Sequence, residues 1–102
     1  LDEDILEGMF INKKEQVIAF LNKTENASIY EQIKIAYKRS KELFPKSRIK
    51  IEVLPDYESG EKVLLFLIES RSSLEEDFAL LQQLYEHISL NDHFIVDLEF
   101  AR

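Results

Sequence analysis

The chain has 102 residues, thirteen basic and twenty acidic, for a formal net charge of −7; 45% are hydrophobic, 32% charged, with two Gly, two Pro and no Cys. That is the composition of one small α+β globular domain over 1–102, and it argues against disorder and long linkers. The lack of cysteine excludes disulfides, thiolate metal sites and cysteine nucleophiles, and no run approaches the ~20 apolar residues of a membrane helix.

Residues 1–11 are acidic, then apolar around Gly8, and read as an arm or short helix whose Ile5, Leu6, Met9, Phe10 and Ile11 need a surface to lie on. The acidic beginning is unlike a signal peptide, and a first residue of Leu1 instead of Met points to a start further upstream. Asn12 with Glu15 three residues later forms a capping-box pattern. It opens a short helix over 13–21 with Val17, Ile18 and Leu21 on one stripe. After a polar turn at 22–27, Ser28 with Glu31 repeats the pattern, with Thr24 and Asn26 as alternative starts. Ile29, Ile33, Ala36, Ser40 and Leu43 then recur at helical spacing, widened by Tyr30, Tyr37 and Phe44. Pro45 ends this helical region, 12–44, by disfavouring the α conformation at Phe44.

From 48 onward the pattern is ββαβ. Residues 48–54 alternate, with Ile49, Ile51 and Val53 on one side and Lys50 and Glu52 on the other, as in a half-buried strand. Pro55 ends it, and 56–60 form a turn. Residues 61–69 are a second strand whose centre, 63–68, is apolar on both faces, so it belongs in the middle of the sheet. Ser72 or Ser73 caps a helix over 73–89, with Glu75, Glu76 and Asp77 in its first turn and Leu74, Phe78, Leu81, Leu84, Tyr85 and Ile88 as its stripe. Residues 94–100 alternate again as a third strand, Phe94, Val96, Leu98 and Phe100 against Ile95, Asp97 and Glu99.

The expected order is α-α-β-β-α-β, with a three-stranded mixed sheet of order 1-2-3 and a right-handed βαβ unit at the C-terminal end. One helix covers one sheet face. The other face shows Val63, Leu65, Leu67 and Ile95 among Lys50, Glu52, Asp97 and Glu99, an apolar stripe that needs the N-terminal helices or another subunit over it. Both edge strands are open to pairing as well. A homodimer or a protein partner is therefore expected.

Charge is unevenly spread. Residues 1–12 carry four acids and no base, 13–50 ten bases and four acids, and 51–102 three bases and twelve acids. Lys34, Lys38 and Lys41 share a helix face, and Lys46 and Arg48 follow, with Tyr37 nearby as a stacking platform. Such a row can track phosphates, but no nucleic-acid motif accompanies it and the global charge opposes polyanion binding. The favoured reading is a solvated helix face complementary to the acidic segments.

Catalytic signals are weak. Asp56, Glu58 and Glu61 cluster in the turn, where alternate carboxylates can hold a hard cation, yet a solvated hairpin turn with Gly60 at positive φ explains them. His87 and His93 lie near Asp92, Asp97 and Glu99 without metal-ligand spacing. Ser70, Ser72 and Ser73 lack a nucleophile elbow, and two glycines cannot build a phosphate-cradling loop. No catalytic residue, metal or cofactor is assigned. The sequence reads as a non-enzymatic, acidic, cytoplasmic interaction or regulatory domain, with Lys-, Ile- and Asn-rich usage that fits a prokaryotic origin. It acts through the apolar sheet face or an open edge strand. The alternatives are a nucleic-acid-binding accessory protein using the 34–50 segment and, last, a small metal-dependent hydrolase on Asp56, Glu58 or His93.

Overall fold

Alternation along the strands fixes the sheet. In the computed structural model, which describes residues 7–70, 74–88 and 92–100, β2 spans Arg48–Pro55, β3 Lys62–Ser70 and β4 Phe94–Phe100. Strands β2 and β3 pair antiparallel, Ile51 opposite Phe66, and β3 and β4 pair parallel, Phe66 opposite Val96. Ile49, Ile51 and Val53 therefore share a face with Leu64, Phe66 and Ile68 and with Phe94 and Val96, and all are buried. Phe66 and Phe94 meet edge to face, centroids 6.3 Å apart.

Three helices cover that face: α1 (Lys14–Leu21), α2 (Ala27–Leu43) and α3 (Leu74–Tyr85). They contribute Val17, Phe20 and Leu21, then Ile29, Ile33 and Ala36, then Leu81 and Leu84, to the same core. A single turn of 3₁₀ helix at Thr24–Asn26 links α1 to α2.

The expected three-stranded sheet and α-α-β-β-α-β order are wrong. Phe10–Ile11 forms a fourth strand, β1, parallel to β2 with Phe10 opposite Lys50 and Ile11 opposite Ile51. The sheet order is β1-β2-β3-β4 and the element order β-α-β-β-α-β. Residues 10 and 11 are thus strand where an arm or helix was expected; residues 1–6 lie outside the described ones. Pairing with β2 decides the matter, because two residues show no local periodicity of their own. Close approach also places this segment: a Cβ on Gly8 would overlap the Tyr37 hydroxyl.

The caps shift for the same reason. Asn12 donates its amide to the Ile51 carbonyl at 3.1 Å and its side chain to Glu52 Oε2 at 3.0 Å. It extends the β1 ladder and does not cap α1. Lys13 turns the chain into α1 with φ 53°, a left-handed conformation that costs a side-chain-bearing residue about 1 kcal/mol. Helix α2 begins at Ala27, and Asn26 Nδ2 reaches back to the Phe20 carbonyl at 2.8 Å, fastening the α1–α2 corner. The suggested caps Ser72 and Ser73 fall outside the described residues.

The expected right-handed βαβ unit meets a topological constraint. Helices from both parallel crossovers lie on one face, while the β1/β2 pair runs opposite to the β3/β4 pair. Two crossovers advancing in the same direction across such a sheet cannot share a hand, so one is left-handed. The right-handed rule rests on strand twist feeding the connection, and the two-residue β1 carries the least of it.

Candidate functional site

Because all three helices sit on one side, the other face of the sheet is uncovered among the described residues. Register places its side chains in four rows. Leu54 lies beside Val63; Glu52 beside Leu65 and Ile95; Phe10 beside Lys50, Leu67 and Asp97; Arg48 beside Glu69 and Glu99. The eight residues expected on this face, Val63, Leu65, Leu67, Ile95, Lys50, Glu52, Asp97 and Glu99, are brought together there. Val63 is buried at one end, and Leu65 and Leu67 are half-buried along the centre. Phe10, Leu54 and Ile95 stand 62%, 38% and 44% exposed.

Sequence reasoning missed Phe10, Leu54 and Glu69 here, and assigned Arg48 elsewhere. Leu54 and Glu69 were readable from the strand alternation. Phe10 was not, because it belongs to the face only through β1.

Strand β2 supplies both bases of this face, Arg48 and Lys50, along with Glu52, and β4 supplies Asp97 and Glu99. Arg48 lies over the Phe10 ring at 5.5 Å, and Glu52 is drawn toward β1 by Asn12. Lys50 Nζ is 3.9 Å from Glu99 Oε2, too long for a hydrogen bond, and that oxygen is buried with no hydrogen-bond partner among the described residues. A shallow cleft of about 450 Å³ runs along the β1 edge between Phe10, Arg48, Lys50 and Glu69.

Two outward backbone groups of the β4 edge already have partners. His93 O accepts from Leu64 N at 2.8 Å, so in the parallel ladder the odd residues of β4 face β3 and the even ones face outward. Of those outward groups, the Val96 carbonyl accepts the Tyr85 hydroxyl at 2.7 Å, and the Leu98 amide donates to Asp97 Oδ1 at 2.8 Å. A strand added here would have to displace both, a form of edge protection.

The basic set does not converge. Lys34 pairs with Glu31 at 2.9 Å and lies over Tyr30. Lys41 donates to the Ser47 carbonyl at 3.0 Å, a tie between the end of α2 and the loop before β2. Lys38 and Lys46 are exposed, and Arg48 points to the open face, away from the helix layer.

The acidic turn is held by its own hydrogen bonds. Asp56 Oδ1 accepts the Glu58 amide and Oδ2 the Ser59 hydroxyl, each at 3.0 Å, while Gly60 closes the turn at φ 75°. The Glu58 amide first, then the Ser59 hydroxyl, holds the Asp56 carboxyl below its ordinary range. His93 pairs with Glu61 at 3.2 Å, beside a cleft of about 430 Å³ lined by residues of both signs, Lys23, Glu25 and Lys62 among them. No group of three or more His, Asp or Glu able to hold a metal occurs among the described residues.

Another polar feature is buried: Asp77 in α3 is fully enclosed and accepts from Ser70 Oγ at 2.8 Å. It ties α3 to the end of β3 and opens onto none of the clefts above. No helix among the described residues is long and apolar enough to cross a membrane. Comparison with protein-family models, curated proteins and solved structures finds no significant match.

Proposed function

We propose that the chain is a non-enzymatic protein-interaction module that binds through the open face of its sheet. One observation carries this reading: Leu54, Leu65, Leu67 and Ile95 lie on neighbouring positions of β2, β3 and β4 on the face opposite the helices, with Phe10 of β1 across Lys50 from them. Contiguous apolar patches of this kind, rimmed by polar groups, are characteristic of association surfaces. The face is favoured over the edge because the outward Val96 carbonyl and Leu98 amide already have partners. A cysteine-free acidic domain suits the reducing cytoplasm, where such a module would serve as a regulatory subunit.

The test is Leu65→Asp, which places a carboxylate at the centre of the patch without entering the core. Association of the tagged chain, with itself or with proteins of a nuclease-treated lysate, is compared with wild type. The expected result is an unchanged circular dichroism spectrum and loss of bound protein. Equal association by Leu65→Asp and wild type would refute the reading.

A further inference from the structure

We infer that two copies of this chain exchange the segment that carries β1, each seating its residues 7–12 in the place vacated on the other, with Lys13 as the hinge. The inference goes beyond the interaction reading above and leaves the open face free.

The strain of this part of the chain lies at that hinge. Lys13 is the only non-glycine residue with positive φ among the described residues, at 53°. It is also the whole connection, since the Asn12 amide still bonds Ile51 and α1 begins at Lys14. The Lys13 side chain makes no capping bond. A short hinge under strain favours exchange, because extending it releases the strain while every other contact is re-formed between copies. Rotation about φ of Lys13 leaves its carbonyl on the Gln16 and Val17 amides, so α1 keeps its first turn. The ladder to be exchanged is two residues long, Phe10 with Lys50 and Ile11 with Ile51.

The vacated place selects its occupant. Met9 is buried in the core and Ile11 packs against it. Asn12 bonds the Ile51 carbonyl and the Glu52 carboxylate. Position 8 is the strictest, since a Cβ there would overlap the Tyr37 hydroxyl. A second copy brings Gly8, Met9, Ile11 and Asn12 in the same register, and so repeats every one of these contacts. Held on its own chain, such a segment has a local concentration in the ~millimolar range, which sets the scale for exchange without strain. One left-handed, side-chain-bearing residue shifts that balance about fivefold. Two hinges shift it ~25-fold, which brings exchange to roughly tens of micromolar.

The experiment uses the full chain with Phe10→Cys and Lys50→Cys, neighbours in the β1–β2 ladder and the only thiols in a chain that has no Cys. Leu65→Asp is included so that association through the open face does not contribute. The protein is refolded from urea at concentrations from about 1 μM to near 1 mM, chosen to bracket that scale. It is then diluted, linked with a short bismaleimide and read on a denaturing gel. Linked monomers are expected at the lowest concentration, and linked dimers rising to the major product at the highest. Adding Lys13→Gly, which holds positive φ without strain, should weaken dimer formation at least ~10-fold. Lys13→Pro, whose ring fixes φ near −65°, should strengthen it. Linked monomer alone at every concentration overturns the inference, and so does a dimer yield unchanged by Lys13→Gly. The open-face reading stands or falls separately, on the association of Leu65→Asp against wild type.

Discussion

Ser40 sits in the middle of the buried stripe of α2, fully enclosed, and its hydroxyl has no hydrogen-bond partner among the described residues. At the residue scale this is a local conflict: burying an unpaired hydroxyl is unfavourable, and serine is a poorer helix former than alanine. Ser40→Ala removes both penalties at the loss of one small atom. It is expected to raise stability by about 1 kcal/mol, read as a higher urea midpoint with an unchanged slope. A lower midpoint would mean that the hydroxyl is satisfied in solution. Asp77 is as deeply buried; one of its oxygens takes the Ser70 hydroxyl, and the other has no partner among the described residues. The apolar spacing of α3 suggested that Phe78 lines the core, whereas Asp77, Leu81, Leu84 and Ile88 are buried and Phe78 is 49% exposed. Hydrophobicity alone cannot reveal that a carboxylate enters a core when its partner arrives from another element.

Among elements, the connection between α3 and β4 hangs on Tyr85, whose hydroxyl reaches the outward carbonyl of Val96. Burial, and secondarily the nearby Asp97 charge, pushes the Tyr85 phenol above its ordinary value of 10.0. A raised value in the folded state means the protonated phenol stabilises the fold fully at neutral pH. That stabilisation is lost as pH rises from the unfolded value near 10.0 through the raised one. Tyr85→Phe is expected to cost about 1 kcal/mol at pH 7 for the hydrogen bond, and its deficit against wild type should shrink above pH 10. Urea midpoints measured across that range check it, and a deficit constant with pH would be contrary. The same carbonyl, once freed, leaves an acceptor on the β4 edge. Elements β2, β3, β4 and most of α2 were legible because alternation or helical spacing persists over seven or more residues. Strand β1 was not, since Phe10 and Ile11 acquire their conformation from Lys50 and Ile51 forty residues away. The cap at Asn12 failed with it, as tertiary pairing took the side chain that local sequence had offered to α1.

For the whole molecule, the decisive property is that the sheet, among the described residues, has one face in the core and one outside it. The apolar run 63–68 implied a strand covered on both faces, and the eight-residue patch followed from that expectation. The two-layer arrangement supplies the cover for only one of them, because β1 moves both N-terminal helices onto the side of α3. Adjacent residues of β3 therefore test the architecture directly. Phe66 is fully buried beside Phe94, while Leu65 is half-buried on the open face. Phe66→Ala is expected to cost ~3–5 kcal/mol, a large part of the ~5–15 kcal/mol that holds a domain together. Leu65→Ala is expected to cost less than about 1 kcal/mol, since it leaves no cavity in the core. Urea midpoints of the two variants check this: if Leu65→Ala were as damaging as Phe66→Ala, something within the chain itself would have to cover that face, and the association surface would not exist.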